Sequence, residues 1–589
     1  MAQNSWAISL SEFSKSDSWL KALQYEKTIF GYKSRIDAST FFLAPDGKTN
    51  PERELVATIE AFKSNQTFGK LKHKAHCTFT GRYKILKDAF KLPDYGPCTD
   101  YETWIKALNA KDISLIFASS YPNNPASIFG HTFLRINNKK NQDQGASDLL
   151  DYGLNYAATT GSDGGIEFAI FGVFGMYEGH YSLMPYYLKI NEYNNYENRD
   201  IFEYNLDFNE KEIDRLLSLV WEMENVGYSD YYFFDENCSF QILALLEGAA
   251  PDNSFLNELP FYVSPIDTLK VLVEKNKAHF KKARPSLRTQ MEQYLNELSP
   301  EEKNQLEMLL SGVDVKTNTK TLESAVHALK LKKYSAMGTL SESDETLYHK
   351  LLVKRSKEAS GKVIEKKINY TPPHLAHKTK ALKIMGGLKN KKQFHSLSFR
   401  MGWHDELNND VGHIAFSKLD LLKMTFYYDE KNIKLQDFYL VDVFSIEPSN
   451  NKFTPAWLWK MGASRGFFHS EPLAPNLTLG AGMAFENFTK KLRSFFTISS
   501  DLSYQKSLEG QLHFKFIPEL GFVYKKIINV KALLGYEYLM TNKERMIKYP
   551  YADIELAKEL SSSLEVRSQI KTAVGANFNQ FQLGLNFIF

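Results

Sequence analysis

The chain has 589 residues, enough for several domains, and its 72 Lys and Arg against 69 Asp and Glu leave a net charge of +3. That balance makes no case for nucleic acid as a partner. No run approaches the roughly 18 apolar residues a membrane-crossing helix needs, and the opening MAQNSWAISL lacks a basic stretch followed by an apolar core, so no signal peptide is read there.

Residues 1–110 read as a helical domain. SDSWLKALQY and NPERELVATIEAF carry helical spacing, the second with Asn50 as cap and Pro51 in the first turn. Cys77 and Cys98 lie close enough to close a disulfide loop, which would leave Cys238 unpaired. One pair plus one odd thiol fits an oxidising compartment with one reactive cysteine. The competing reading keeps all three reduced and structural. His73 and His76 beside Cys77 hint at a metal, but nothing supplies a convincing fourth ligand, so no metal is assigned.

Residues 111–250 read as a compact α+β domain. ISLIFASS and HTFLRINN are expected strands joined by the turn-rich YPNNPASIFG, with DLLDYGLNYAA and RDIFEYNLDF as further strands. NEKEIDRLLSLVWEMEN is an amphipathic helix, and FFDENCSFQILALLEG opens a second. From Phe240 to Leu246 that second helix is apolar nearly all round, which predicts burial, with Gly248 as a stop. Asp235 and Asn237 are capping residue types. Cys238 therefore stands where helix N–H groups and the positive end of the dipole favour a thiolate. Taken alone, it reads as a small buried hydrophobe, as most free cysteines do.

Residues 251–378 form a charged helical connector. In SPEEKNQLEMLLSG, Ser299 caps, Pro300 starts and Glu302 reaches back. His374 and His377 make an H-x-x-H pair, a weak metal signal set below a role in positioning the strand that follows.

From 379 to 589 the pattern switches to period two. Phe581, Leu583, Leu585, Phe587 and Phe589 alternate with Gln580, Gln582, Gly584, Asn586 and Ile588. The same alternation runs through Leu397–Trp403, Leu477–Phe485 and Val530–Met540. About twelve such segments, nearly free of proline and joined by polar turns, are the pattern of a transmembrane antiparallel β-barrel. Aromatics make up 14% of the chain, with 42 Phe and 32 Tyr, and gather towards segment ends as interfacial girdles do. A soluble barrel or sandwich would also alternate, but with the apolar set inward.

Two loci of the α+β domain carry chemistry. His131 opens a strand after Gly130, and Cys238 opens a helix. A thiolate nucleophile needs an imidazole in reach and a third group to orient it. Asn155 is the candidate orienting residue, with Asp151 and His180 in reserve. Backbone N–H groups of Cys238 and Ser239 are the expected oxyanion donors. Arg135, Lys189 and Arg199, with Tyr187, are candidates for a phosphate head group, although charged residues are usually just solvated.

The GH motif at a strand start before an NC motif on a helix resembles the circularly permuted papain-like fold of the NlpC and lecithin:retinol acyltransferase group. More narrowly, SIFGHTFLRI, LNYAA, PYYLKINEY, ENRDIFEY, YYFFDENCS and SPIDTL resemble the lipoprotein N-acyltransferase (Lnb) family. The N-terminal FFLAPDGKTNPERELVATIEAF, the Cys77 region and the terminal barrel extend the likeness. The resemblance implies Cys238 as nucleophile and His131 as base, acting without a cofactor. It implies a phospholipid as acyl donor and the α-amino group of a diacylglyceryl-cysteine lipoprotein as acceptor. It also implies an outer-membrane location with the catalytic domain in the periplasm. The same pair could instead serve a peptidoglycan amidase or peptidase of NlpC type. The barrel could also be the working part, a channel with an inert periplasmic domain.

Overall fold

The structure is a computed structural model. It describes residues 9–119, 130–143, 147–161, 171–172, 174–260, 262–335, 338–358, 370–413, 415–429, 432–446, 454–465, 473–486, 491–505, 511–540, 547–575 and 578–589. The loop expected at 121–129 lies outside these residues. The chain divides into two compact units, one ending at Tyr370 and one beginning at Thr371.

The first unit is built on a seven-stranded antiparallel sheet. Its strands in chain order are β1 (Ala110–Ala118), β2 (His131–Asn138), β3 (Tyr152–Ala158), β4 (Tyr177–Pro185), β5 (Ile201–Leu206), β6 (Ser229–Tyr231) and β7 (Ala278–Arg284). They lie in the order β6-β4-β3-β2-β1-β5-β7. β7 falls in the stretch expected to be a helical connector and extends the sheet past residue 250. It is an edge strand whose register shifts between Phe280 and Lys282, which breaks the alternation that would betray it. β4 was likewise not anticipated. The N-terminal part is helical as expected, with short hairpins at Tyr25–Ser34 and Thr67–Lys74 added.

Four helices bear on the site: α1 (Pro51–Lys63), α2 (Thr80–Phe90), α3 (Glu210–Val226) and α4 (Cys238–Ala249). Asn50 Oδ1 accepts from the Arg53 N–H and Pro51 sits in the first turn of α1, while Asn209 and Glu212 close a capping box on α3. All twelve residues of α4 are buried, as its apolar circumference requires, against β2, β3, α3 and the helix Asp17–Ala22. Gly248 does not end it. A Cβ there would stand 3.0 Å from the Lys21 carbonyl oxygen, so its small size lets the N-terminal segment approach α4.

Arg82 of α2 locks the N-terminal helices together. It is fully buried, pairs with Glu54 of α1 at 2.7 Å and Glu222 of α3 at 3.2 Å, and lies over the rings of Phe41 and Phe79. Burial pushes the Glu222 carboxyl up to about 7 against the opposing pull of Arg82. Farther along, Ser299 and Glu302 form the expected capping box of helix Pro300–Leu310.

The second unit is a closed barrel of twelve antiparallel strands. They are β8 (Ala381–Lys389), β9 (Lys392–His404), β10 (Lys418–Asp429), β11 (Asn432–Ser445), β12 (Thr454–Ser464) and β13 (Ala474–Glu486). They continue as β14 (Leu492–Gln505), β15 (Gln511–Tyr524), β16 (Asn529–Met540), β17 (Ile547–Ser561), β18 (Leu564–Ala573) and β19 (Phe578–Ile588). β8 closes on β19, with Ala381 opposite Ile588. In β19 the polar Gln580, Gln582 and Asn586 are buried, while Phe581, Leu583, Leu585 and Phe587 are exposed. The apolar face is thus outside, which rules out a soluble barrel and makes a lipid-facing wall. Among the described residues no helix is long and apolar enough to cross a membrane.

Inside, charges pair along a strand, between neighbouring strands, across the lumen and with the segment that follows β9. Arg567 meets Asp405 at 2.9 Å and Glu565 at 2.7 Å, Lys383 meets Glu555 at 3.2 Å, and Lys515 meets Glu537 at 3.0 Å. The segment after β9, described at residues 405–413 and 415–416, folds into the lumen as a plug. Glu406 pairs with Lys531, Asn408 Nδ2 donates to Glu565, and Arg493 donates to the Ala415 carbonyl. Leu407 and Phe416 bury themselves among Phe444, Ile446, Phe495 and Val523.

Replacing Arg82 by Met leaves two carboxylates buried without their partner. The expected loss is about 3–5 kcal/mol of stability, read as a lower thermal midpoint of the full chain. The variant's buried carboxyls keep raised folded-state pKa values, so the folded form binds more protons and stability falls as pH rises. The deficit should be larger at pH 8 than at pH 5.

Candidate active site

The start of α4 is held by one side chain. Asn237 Oδ1 accepts from the N–H groups of Ser239 and Phe240 at 3.1 and 3.2 Å and from the Ser239 hydroxyl at 2.7 Å. Its Nδ2 donates to the carbonyls of Val263 at 2.7 Å and Phe233 at 3.2 Å. Cys238 follows, 4% exposed and the free cysteine of the chain. Cys77 and Cys98 are joined in a disulfide.

Against the thiol stands the beginning of β2. The backbone N–H groups of Thr132 and Ser239 and the hydroxyl of Tyr231 point at the Cys238 sulfur. Thr132 is the residue after His131, so strand start and helix start meet. Gly130 makes the entry possible. Its φ is +84°, and a Cβ would lie 3.1 Å from the Ala118 carbonyl.

His131 Nε2 is 2.6 Å from Asn155 Oδ1, on β3. The amide oxygen only accepts, so Nε2 carries the proton and a neutral imidazole has its lone pair on Nδ1. Asn155, the residue expected to orient His131, is thus in contact with it. The ring also packs against Tyr193 at 5.3 Å and Phe133 at 6.2 Å between centroids. Burial, with the Arg199 and Lys189 charges nearby, pulls His131 down to about 3, against the Asn155 contact. Burial also pushes the Cys238 thiol up, against its N–H donors, Tyr231 and the Arg199 charge. The resting pair is thus a neutral thiol and a neutral imidazole. The dipole alone predicted a thiolate, and desolvation outweighs it here.

Other expectations need correction. The Ser239 N–H is engaged by the Asn237 cap, so it is not an open oxyanion donor. The Cys238 N–H faces the Tyr231 hydroxyl, making Tyr231 a residue the sequence reading missed. Its signal was faint, one tyrosine among the aromatics of YYFFDENC. Arg135 is 1% exposed and pairs with Glu203 at 2.8 Å, Asp148 at 3.2 Å and Asp151 at 3.6 Å, so it is not available to a head group. Arg199 donates to the carbonyls of Ser119 and Ala118 and pairs with Glu197 at 2.6 Å. Lys189 pairs with Glu192 at 2.7 Å. Both are buried, and they act on the site through their charge. Asp151 accepts from the Asn138 N–H and from Asn141, and His180 meets Glu178 at 3.2 Å, so the reserve candidates are engaged elsewhere.

Tyr187 is 46% exposed beside Leu188. Both lie on the short helix Tyr186–Ile190, whose Tyr186 packs on Phe133. Phe174 and Met176 are also exposed, next to Gly175, whose missing side chain makes room for the Tyr232 ring.

Residues 100–275 match a family model described as the Lnb N-terminal periplasmic domain. That segment is a domain of the Lnb family. Residues 11–89 and 370–587 match two families described as domains of unknown function, DUF7843 and DUF7840. No curated protein matches the chain. Similar solved structures include the NanC porin, with a TM-score of 0.25 and 10% identity over 35% of this chain and 98% of that one. The loop L8 deletion mutant of OmpT from Vibrio cholerae has a TM-score of 0.21 and 8% identity over 36% and 97%. The beta domain of the Bordetella autotransporter BrkA has a TM-score of 0.22 and 12% identity over 36% and 100%. A periplasmic Lnb domain in one chain with a closed barrel that is apolar outside makes this an outer-membrane protein whose Lnb domain faces the periplasm.

A neutral thiol is alkylated through its small thiolate fraction. The rate of Cys238 modification by iodoacetamide should therefore climb by about tenfold per pH unit from pH 6.5 to 8.5. A flat rate across that range would mean a preformed thiolate–imidazolium pair instead.

Proposed function

We propose that the chain is a phospholipid-dependent acyltransferase that N-acylates diacylated lipoproteins through a Cys238 thioester. The observation that carries this reading is the meeting of Cys238 with the start of β2 while Asn155 holds the His131 proton on Nε2 and leaves the lone pair on Nδ1. The Lnb family of the domain supports the substrate class. So do the exposed Phe174, Met176, Tyr187 and Leu188, which suit lipid better than a polar glycan.

His131 Nδ1 takes the thiol proton as Cys238 Sγ bonds to the ester carbonyl carbon of a phospholipid. The tetrahedral oxyanion lies by the Cys238 N–H and Tyr231. The ester C–O bond breaks, the proton passes from His131 to the leaving alkoxide, and a lysophospholipid departs. The α-amino group of the lipoprotein cysteine then attacks the thioester and gives a proton to His131. The C–S bond breaks, the amide forms, and the proton returns to the thiolate. Because the resting pair is neutral, charge appears only in the transition state, where the Arg199 cation favours the sulfur and oxygen anions. A barrel anchor holds the enzyme in the membrane that holds both substrates, raising their effective concentration.

Intact mass of the full chain in detergent, incubated with phospholipid, should rise by one acyl group in the wild type and stay unchanged in Cys238→Ala. Adding a synthetic diacylated lipopeptide should move that acyl group to the peptide amine. His131→Ala should slow transfer by about 10²–10⁴-fold. A folded wild type that never gains an acyl group, even with lipopeptide unchanged, would end this reading and direct the assay to cell-wall amides.

A further inference from the structure

The H-x-x-H pair before the barrel gave no metal on sequence grounds, but His377 has other company in the fold. It lies ahead of β8, His404 is the last residue of β9, and His413 lies in the plug segment. The three rings stack, with centroids 4.4 to 5.2 Å apart. One nitrogen of each lies within 4.8 Å of the others. His377 and His404 are buried, at 8% and 2% exposure.

The proton positions follow from the partners. His377 Nδ1 is 2.5 Å from the Lys378 carbonyl oxygen, which only accepts, so Nδ1 holds the proton and Nε2 presents a lone pair. His404 Nδ1 stands 2.9 Å away. On the far side of that ring the buried Nε2 has Asp410 Oδ1 3.4 Å off, and a carboxylate only accepts, so the proton of a neutral His404 belongs on Nε2. The lone pair of Nδ1 then faces that of His377 Nε2, and two buried lone pairs in contact call for a cation between them. A proton would serve one nitrogen alone, whereas a metal ion uses all three imidazoles. Lys525 already shares the Asp410 carboxylate, so the histidines are the ligand set.

We propose that His377, His404 and His413 bind a divalent transition-metal ion, with zinc the best match, and that the ion fastens the plug to the barrel rim. Neutral imidazole suits zinc, copper and nickel. At metal–nitrogen distances of about 2.0–2.1 Å, two nitrogens on a tetrahedral ion lie roughly 3.3 Å apart. The His377–His404 contact opens by a few tenths of an ångström and the His413 gap closes. The Lys378 carbonyl behind Nδ1 is the outer support that metal-binding imidazoles use.

The test uses the full chain in detergent, purified without a polyhistidine tag and stripped with a chelator. The expected result is one equivalent of Zn²⁺ by elemental analysis and a visible Co²⁺ absorption band. His377→Gln and His413→Gln should each weaken Zn²⁺ binding by at least about tenfold, while His131→Ala should not change it. Heat-modifiable gel mobility checks that each barrel is folded. His413→Gln sits on the plug, away from the start of β8, so it keeps the test valid if His377→Gln misfolds. Zn²⁺ should raise the unfolding temperature of the wild type and leave that of His413→Gln unchanged. Binding below about a tenth of an equivalent, or equal affinity in wild type and both Gln variants, overturns the proposal.

Discussion

The Asn237 side chain ties the start of α4, where Cys238 stands, to the chain before and after it. Its oxygen takes the first N–H groups of α4 and its nitrogen holds the carbonyls of Phe233 and Val263. That double hold sets the direction of a fully buried helix and with it the position of the thiol at the start of β2. A helix apolar all round has no preferred face, so burial alone leaves its rotation and end point loosely determined. The polar cap supplies what the apolar surface lacks. The cost is that the cap uses the Ser239 N–H, so in the proposed reaction it is Tyr231 and the Cys238 N–H that would receive negative charge.

The two units solve the same polar problem in opposite ways. In the first, polar groups are confined to pairs inside an apolar core, as with Arg82 between Glu54 and Glu222, or Arg135 among Glu203, Asp148 and Asp151. In the second, the apolar groups go outward and the interior is a lattice of ion pairs around Arg567, Lys531 and the plug. Lipid outside cannot hydrogen-bond, so the wall closes on itself and every strand finds two neighbours. The plug then adds a small apolar core inside an otherwise charged lumen, with Leu407 and Phe416 as its centre.

What could be read from the sequence was local. Period two in β19, the Asn50–Pro51 start and the Ser299–Glu302 box each depend on residues a few positions apart, and each stands in the structure. The Cys238 helix and its Asn237 cap were legible for the same reason. Distance defeated the rest. β7 carries charged residues because it is an edge strand, and a register shift breaks its pattern. β4 does alternate, with Tyr177, Gly179 and Tyr181 buried between more exposed neighbours, but the pattern fades from Ser182 onward and is too short to stand out. The fate of Arg135 depended on Glu203, far along the chain, and the dipole argument for a thiolate could not weigh burial, which only the fold supplies. The meeting of His377 with His404 and His413 depends on barrel closure and an inward-turned loop, which no spacing rule reaches.

The neutral resting state of Cys238 has a consequence for the life of the protein in its compartment. Oxidants such as peroxide and disulfides attack the thiolate, and a thiol kept protonated and shielded from solvent offers them very little of it. A preformed thiolate in the periplasm would be open to sulfenic acid formation or to exchange with misfolded secreted chains. In the acyl transfer proposed above, holding the proton until an ester carbonyl arrives would make the cysteine durable as well as selective, and would spare it the reductant that an exposed nucleophile needs to stay active.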